Sequence, residues 1–384
     1  MLAIINGKCI LPDAQGNFAI ETGKVILCEG ERIKEIVSVE EAADKKIENT
    51  IDAKGGYVSP GFLNVHIHGC DGMDTMDDDE TALPRMSRLQ AETGVTGFLP
   101  TTMTCAWDDV AKAFLHIRHY QQQPPEGARI LGAHMEGPFI SPAKKGAQAA
   151  CNIRPADFEL VEPWQDVVRI ITLAPEELTD YRFVELCEEA GITVSIGHTA
   201  ADYETVMDAI NKHGVHHITH LYNAMTPFHH RNPGVVGAAL DSAVNCEIIA
   251  DNVHSHPAAQ RLLYHAKSGR NIILITDSLR ACGVGDGPSE LGGQKVFVKG
   301  ELATLEDGTI AGSVATMNRC IKIFWENTGA PLERVVEMAT KTPAVELNLY
   351  EELGSLETGK RADIVIFDDD VNIRHTIIGG KIFG

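Results

Sequence analysis

The 384-residue sequence has little of what marks membrane, secreted or nucleic-acid-binding proteins. No apolar run reaches the roughly 18 residues of a membrane-spanning helix, and the start, MLAIINGKCILPDAQG, lacks the features of a secretory signal. Nine cysteines without regular spacing argue against a disulfide framework and favour a cytoplasmic protein. Positive charge is scarce: 33 Lys and Arg against 54 Asp and Glu give a net charge of −21, which repels nucleic acid and anionic membranes.

What the sequence does have is a repeated alternation of short apolar runs and helical segments. The segments between the runs, such as ADYETVMDAINKHG, begin with acidic residues and end in glycine, as helices do. Eight runs rich in Ile and Val are typical of strands buried on both faces. Eight such strands separated by helices predict an α/β fold, a (β/α)8 TIM barrel. The runs occupy residues 61–68, 97–102, 129–137, 169–175, 192–198, 216–223, 247–251 and 272–277.

The two ends of the chain have a different pattern. Short strands separated by turns are predicted in residues 1–58 and again in the C-terminal segment GKRADIVIFDDDVNIRHTIIGGKIFG. We expect the ends to pair into one small β-sandwich domain, made of residues 1–58 and 345–384. The barrel then occupies residues 59–344.

Ionisable side chains stand where the predicted barrel strands end. In a TIM barrel the carboxyl ends of the strands form the active-site face. Residues two apart on a strand point the same way, so His66 and His68 face the barrel axis together. His213, His216 and His217, by contrast, fall at a helix end and a strand start, away from this face. The strand-end residues are His66, His68, Glu136, His198, His220 and Asp277.

A metal site accounts for this cluster better than six independent core residues do. A single buried histidine is more often a hydrogen-bonded core residue than a ligand, and Glu136 alone is more often structural. Burying several ionisable groups together is costly unless a metal or partner groups compensate. Imidazole and carboxylate ligands suit Zn, Fe, Mn, Co or Ni rather than Ca or Mg, and we expect a divalent ion with Zn as first choice.

The expected chemistry is hydrolysis. A His-rich metal site with an open position lowers the pKa of bound water toward about 7. Asp277 lies beside the predicted site in the segment LITDS. A carboxylate there is suited to act as general base toward water and then as general acid toward the leaving group.

An anionic substrate of so acidic a chain needs local positive groups. The loop after the sixth strand carries Arg231 and the backbone of Asn223 and Ala224, and the next loop carries His254. Arginine offers a planar fork that suits phosphate. Arg231 is equally well explained as a surface residue of a long loop, and Lys144 with its neighbour Lys145 is a further, more solvated candidate.

The motifs resemble those of a known family along essentially the whole chain. The sequence is similar to the N-acetylglucosamine-6-phosphate deacetylases of the amidohydrolase superfamily. HLYNAM and EGP are specific to the deacetylases, whereas GKRAD is common to the superfamily. The motifs are PGFLNVHIHG, HMEGPF, KKGA, SIGHT, THLYNAM, HHRNPG, IADNVH, LITDS, DGTIAGS and GSLETGKRADIVIFD.

The resemblance implies a metal-dependent deacetylase that converts N-acetylglucosamine 6-phosphate to glucosamine 6-phosphate and acetate in amino-sugar catabolism. It implies Glu136, His198 and His220 as the metal ligands of every member. His66 and His68 match the variant that can hold a second metal, so one or two ions per subunit are expected. Asp277 matches the catalytic aspartate, beside the metal. The family works as homodimers, and some phosphate contacts come from the neighbouring subunit. The substrate-contacting positions implied are Ala147, Gln148, Asn223, Ala224, Arg231, Asp251, Asn252, Val253, His254, Ile310, Ala311 and Gly312.

One departure from the family pattern is Gln148, where the family usually has histidine. A glutamine amide donates a hydrogen bond but carries no positive charge. Either Gln148 donates as a neutral group, or a second metal polarises the acetyl carbonyl, or the substrate differs. The TPFHHRNPG loop also resembles the branch that acts on N-acetylgalactosamine 6-phosphate.

Two other classes remain open at this point. A deaminase or cyclic-amide hydrolase on the same barrel would not need the phosphate-binding loop. A metal-binding scaffold that has lost activity would not need Asp277.

Overall fold

The N-terminal segment forms short strands, as predicted. The computed structural model describes residues 1–383. Seven strands precede the barrel, and helix α1 (Val39–Ala42) follows the fifth. These strands are β1 (Leu2–Ile5), β2 (Lys8–Pro12), β3 (Phe18–Glu21), β4 (Lys24–Glu29), β5 (Arg32–Ser38), β6 (Asn49–Asp52) and β7 (Tyr57–Pro60).

The predicted TIM barrel is confirmed by an eight-stranded parallel sheet. Each strand pairs in parallel with the next strand of the barrel. Three two-residue strands lie beside it: β9 (Gly69–Cys70), β10 (Met73–Asp74) and β12 (Arg129–Ile130). The barrel strands are β8 (Phe62–Ile67), β11 (Val95–Thr102), β13 (Ala133–Glu136), β14 (Val168–Leu173), β15 (Thr193–Ile196), β16 (His217–Ile218), β17 (Asn245–Ile249) and β18 (Ile272–Ile275).

The first and last barrel strands meet at their carboxyl ends. The Asp277 backbone N–H donates to the His66 carbonyl, and the His68 N–H donates to the Ser278 carbonyl, both at 2.9 Å. Strand β11 is buried along its whole length, as expected of a parallel sheet covered on both faces. The meeting of β8 and β18 brings the two histidines of the first strand beside the aspartate of the last.

Helices cover the outside of the barrel. Helix α6 shows why these segments are helical. The Asp202 side chain accepts from the Thr205 N–H at its start, and Gly214 ends it with a φ of 71°. Within residues 1–383 no helix is both long and apolar enough to cross a bilayer. The helices are α2 (Ala82–Glu92), α3 (Trp107–Gln121), α4 (Phe158–Val161), α5 (Arg182–Glu189), α6 (Tyr203–His213), α7 (Gly234–Asp241), α8 (Pro257–Ala266), α9 (Met317–Thr328), α10 (Leu332–Met338) and α11 (Lys341–Glu346).

A small antiparallel sheet is inserted after the last barrel strand. It consists of β19 (Gly287–Leu291), β20 (Gln294–Lys299) and β21 (Leu302–Leu305). Its apolar face packs on Met103 and Leu279 in a separate hydrophobic cluster. The Gln294 side-chain amide donates to the carbonyl of Ala147, so this sheet is tied to a loop that borders the barrel mouth.

Strands from both chain ends share one sheet. The last strands are β22 (Ile364–Phe367), β23 (Ile373–Ile378) and β24 (Lys381–Phe383), and the sheet order is β24-β23-β22-β7-β2-β3. A second sheet, β5-β4-β1-β6, shares a core with the first, to which Ile26, Val58 and Ile366 contribute. The expected sandwich is therefore present. Strand β7 continues to Pro60, and the domain limits at 58 and 345 stay a prediction.

Candidate active site and metal centre

The Glu136 carboxylate lies at the centre of the barrel mouth, surrounded by four histidines. Its Oε1 lies 3.3 Å from His66 Nε2, 3.3 Å from His198 Nε2 and 3.1 Å from His220 Nε2. Its Oε2 lies 3.3 Å from His68 Nε2. All five side chains are buried. The structure thus brings the four strand-end histidines together around the carboxylate of a fifth strand-end residue.

Three of these histidines present an Nε2 lone pair to the centre because the other ring nitrogen, Nδ1, is bonded elsewhere. An imidazole that donates from Nδ1 keeps an acceptor at Nε2, which is the form that binds a metal. The groups that accept from Nδ1 are Glu247 Oε2 for His66 (2.9 Å), the Thr101 carbonyl for His68 (3.2 Å) and the Lys144 carbonyl for His198 (2.9 Å).

The arrangement fits a divalent ion. His66 Nε2 is buried and has no hydrogen-bond partner. Ligand atoms about 2.0–2.1 Å from a tetrahedral ion lie roughly 3.3–3.4 Å apart, close to the separations around Glu136. Two groups of possible ligand atoms, each group within 4.8 Å, meet at this centre: His66, His68 and Glu136, and Glu136, His198 and His220. They share Glu136, as a bridging carboxylate would be shared.

The carboxylates of the site also stabilise positive charge. Burial by itself lowers the pKa of His68, but the Asp277 and Glu136 carboxylates reverse this effect and raise it to about 10. The pKa of His66 is raised well above its ordinary value, because Glu247, Asp277 and Glu136 outweigh its burial. A cation bound among these carboxylates neutralises their charge in the same way, and the histidine rings then stay unprotonated.

Asp277 stands beside the paired histidines of β8. Its Oδ1 lies 3.2 Å from His68 Nε2 and 3.5 Å from His66 Nε2. Burial raises the pKa of Asp277, but His66 and His68 lower it further, so the net shift is downward. Asp277, His198 and His220 all have positive φ angles (47°, 47° and 29°), and backbone strain of this kind clusters at active sites.

A cavity of about 300 Å³ opens onto the centre. Met103, Leu291 and Thr309 also line it and were not predicted from the sequence. A larger cavity of about 580 Å³ between α2, α3 and β12 contains none of the strand-end residues, so its size carries no catalytic argument. The predicted residues that line the smaller cavity are Ala147, Gln148, Asn223, Ala224, His254, Ile310 and Gly312, with His68, Glu136, His198, His220 and Asp277.

Gln148 contacts the central carboxylate. Its Nε2 donates to Glu136 Oε2 at 2.5 Å, and its Oε1 accepts from the Thr104 backbone N–H at 2.7 Å. The side chain is buried. In this position Gln148 is a neutral donor to Glu136, and the three alternatives for polarising the acetyl carbonyl stay predictions.

The remaining five predicted substrate positions do not line this cavity. Asp251 holds His254: its Oδ2 lies 2.6 Å from His254 Nδ1, and its Oδ1 accepts from the backbone of Val253. Ala311 is buried and Asn252 is exposed, and neither lines the cavity. Arg231 is exposed, lies 2.7 Å from His230 Nε2 through its Nη1, and borders a different depression.

A buried network that was not predicted from the sequence lies behind His66. His217 was expected away from the active face, but its ring is fully buried, with Nε2 3.1 Å from Glu247 Oε1 and Nδ1 2.8 Å from Glu346 Oε1. A charged residue inside the apolar run of β17 was the signal that could have found Glu247. The His134 ring packs on His66 at 4.5 Å between ring centroids and a tilt of 59°, and its Nδ1 donates to the Val65 carbonyl.

Comparison with known proteins identifies the family. The model described as "Amidohydrolase family" matches residues 57–383. The chain belongs to the amidohydrolase family. The N-acetylglucosamine-6-phosphate deacetylase of Bacillus subtilis (strain 168) is 41% identical to this amidohydrolase over 376 residues, 96% of this chain and 92% of that protein. The human protein of the same name is 37% identical over 350 residues, 86% of this chain and 84% of that protein.

Solved structures agree with this assignment. The N-acetylglucosamine-6-phosphate deacetylase of Pasteurella multocida superimposes with a TM-score of 0.92 at 30% identity, covering 99% of both chains. A mutant of the Mycobacterium smegmatis enzyme, solved in complex with N-acetyl-D-glucosamine-6-phosphate, gives 0.89 at 26% identity and covers 100% of this amidohydrolase and 99% of that chain. The predicted resemblance to the deacetylases is confirmed.

Proposed function

We propose that the chain is an N-acetylglucosamine-6-phosphate deacetylase of amino-sugar catabolism. Water adds to the acetyl carbonyl carbon, the C–N bond breaks, and acetate and the free amino sugar phosphate leave. The observation that carries the proposal is that the Asp277 carboxylate, which lines the cavity, lies beside the Nε2 atoms of His66 and His68. The similarity to deacetylases over 96% of the chain supports the substrate class.

The residues around Glu136 would hold one or two divalent ions. Glu136, His198 and His220 would hold one, and His66 and His68 with Glu136 would hold a second, with Asp277 alongside. When bound, such an ion acidifies water and polarises a carbonyl. Zn is our first choice because the ligands are imidazoles and carboxylates, with Fe, Mn, Co or Ni as alternatives.

Asp277 is the group that moves the proton. Held ionised beside His66 and His68, its carboxylate takes a proton from the attacking water and returns it to the amine nitrogen as the C–N bond breaks. Met103, Leu291 and Ile310 place apolar surface on the cavity wall, which reduces the access of bulk water.

Two groups would supply positive charge for the 6-phosphate. Burial lowers the pKa of His254, but the hydrogen bond that its Nδ1–H donates to the Asp251 carboxylate overcomes this and raises the pKa, so the ring in the cavity favours its charged form. Arg231 lies outside the cavity of its own chain. We propose that it reaches the site of the partner subunit in a homodimer. The cytoplasm is the proposed compartment, because all nine cysteines lie within residues 1–383 and none forms a disulfide.

An acetate-release screen tests the function. The metal-reconstituted protein is given N-acetylglucosamine and N-acetylgalactosamine, each with and without a 6-phosphate. The highest kcat/KM is expected for N-acetylglucosamine 6-phosphate. A clear preference for the galactosamine epimer assigns the alternative substrate, and acetate release from none of the four contradicts the proposal.

The pair on β8 gives a test of ion number. The double variant His66→Ala/His68→Ala should bind one ion fewer than the wild type, because it removes the two Nε2 atoms that lie 3.3 Å from the Glu136 carboxylate and with them the imidazole ligands of the second ion. Metal content by mass spectrometry after dialysis checks this. A double variant with wild-type metal content shows that the pair is not a ligand set.

Replacing Arg231 tests the phosphate contact. A lost charge-assisted contact costs about 1.5–3 kcal/mol, so Arg231→Ala should lower kcat/KM for the phosphorylated sugar by roughly 10- to 150-fold. The unphosphorylated sugar should hardly change. Arg270→Ala, at another exposed arginine, is the matched control. Equal losses for both sugars would assign Arg231 to the fold.

Mixed dimers test whether Arg231 acts across the subunit boundary. Combining Arg231→Ala and Asp277→Asn subunits should restore activity, because one of the two sites then holds an intact Asp277 and the intact Arg231 of the other chain. A mixture as inactive as its components shows that each site uses its own Arg231.

A further inference from the structure

A chain of buried ionisable groups runs from the candidate metal centre into the barrel interior. His66 Nδ1 lies 2.9 Å from Glu247 Oε2, and Glu247 Oε1 lies 3.1 Å from His217 Nε2. His217 Nδ1 lies 2.8 Å from Glu346 Oε1. His66, Glu247 and His217 are 0% exposed. Three such groups in a barrel core are costly, and packing alone gives no reason for them.

The charges of these buried groups do not all cancel one another. Each ring nitrogen of His217 faces a carboxylate oxygen, and a nitrogen can bond to a carboxylate only by donating an N–H, so the ring is an imidazolium. Glu346 and His217 then compensate each other. The charge of Glu247 is left to act on His66, whose Nε2 points to the ion site.

The number of negative charges near the ion sites shows why the charge of Glu247 is needed. Glu136 and Asp277 together carry two negative charges, which balance one divalent ion. A second ion beside His66 and His68 needs further negative charge nearby. Glu247 is the buried carboxylate that touches His66 from behind, and its Oε2 also accepts from the His220 backbone N–H at 3.2 Å. His134 Nδ1 lies 3.8 Å from Glu247 and donates instead to the Val65 carbonyl at 2.9 Å, so it makes no hydrogen bond to Glu247.

We infer that Glu247 is a positioning residue for the second divalent ion. It fixes the His66 tautomer that presents Nε2, and it supplies the negative charge that lets the His66–His68 site hold an ion beside the one at His198 and His220. The inference rests on the two-ion site of the proposed function. It concerns ion binding, and so it is tested by metal affinity rather than by turnover.

The test is a titration of metal-free protein with Zn²⁺, followed by competition with a chromophoric chelator. Glu247→Gln retains an oxygen that accepts from His66 and His220 but removes the charge. Changes in groups that orient metal ligands typically cost 10- to 100-fold in affinity. The affinity for the second Zn²⁺ bound should fall by that factor, while the affinity for the first Zn²⁺ should not change. Glu337→Gln, at a buried glutamate paired with Arg334, is the matched control and should change neither.

A second variant separates charge from mechanical support. His217→Gln/Glu346→Gln removes the compensated pair and leaves Glu247 charged, so the second equivalent should keep its affinity. If it weakens as much as in Glu247→Gln, the network is a structural support and the inference is wrong. Thermal unfolding of the metal-free proteins establishes that the variants fold. Should Glu247→Gln fail to fold, Glu247→Asp, which withdraws the carboxylate from His66, should show the same selective loss.

Two further results would overturn the inference. An unchanged second equivalent in a folded Glu247 variant removes Glu247 from ion binding and leaves the deacetylase proposal intact. A wild-type protein that binds only one ion removes the second site itself. A deacetylase that works with one ion remains compatible with that result, so the acetate-release screen decides the function separately.

Discussion

Asp277→Asn should lower kcat by at least about 10³-fold while leaving fold and metal content unchanged. Asparagine has nearly the same shape, and its side-chain oxygen still faces His66 and His68. It accepts no proton from water near neutral pH and has none to give to the leaving amine. The downward shift in the pKa of Asp277 means that the native group is ionised and ready to act as the base.

Turnover is measured with N-acetylglucosamine 6-phosphate after metal reconstitution, together with metal content and thermal unfolding. Asp363→Asn, at a carboxylate buried in the β-sandwich, serves as the control for loss of a buried charge and should keep its kcat. Near-normal turnover in metal-replete Asp277→Asn would remove Asp277 from the mechanism.

Glu136→Gln should lose both ions and at least about 10³-fold in kcat. Glu136 is shared by the two clusters, and four histidine Nε2 atoms lie 3.1–3.3 Å from its oxygens. A glutamine keeps the shape but removes the charge that both ions share. If the new amide NH2 takes the place of Oε2, it also faces the NH2 group of Gln148, and two donors then oppose each other.

Metal analysis after dialysis and acetate release provide the two measurements, with Glu337→Gln again as control. If Glu136→Gln retained two ions at wild-type affinity, the bridging role would be wrong. If it retained one, Glu136 would belong to a single site, and the metal content of His66→Ala/His68→Ala would show which.

The barrel could be predicted from the sequence because its strands are buried on both faces and therefore stand out as short apolar runs. Their lengths could not. The sixth run extends over 216–223, but β16 stops at Ile218, because the backbone leaves the sheet to present His220 at a positive φ. The third run is interrupted at Gly132, whose φ of 146° separates β12 from β13.

The strand-end residues were predictable because a TIM barrel places all its carboxyl ends at one mouth. Glu247 and His217 were not, because they lie on strands β17 and β16 where side chains point into the barrel. Which side chains meet there depends on the stagger of neighbouring strands. The role of Arg231 depends on a second chain, so one sequence and one subunit leave it as a prediction.

The six-stranded sheet contains strands from both ends of the chain, so it cannot form completely until the C-terminal strands have been synthesised. Strand β7 needs β22 as its neighbour, with Pro60 opposite Ile364, and the whole barrel is translated between them. At ribosomal rates of about 5–20 residues per second, that interval is on the order of tens of seconds. Through it, β7 has an open edge outside the ribosome that another nascent chain can pair with. Polysomes that carry this message thus hold many such edges side by side, and a holding chaperone at this segment would protect yield without affecting the finished enzyme.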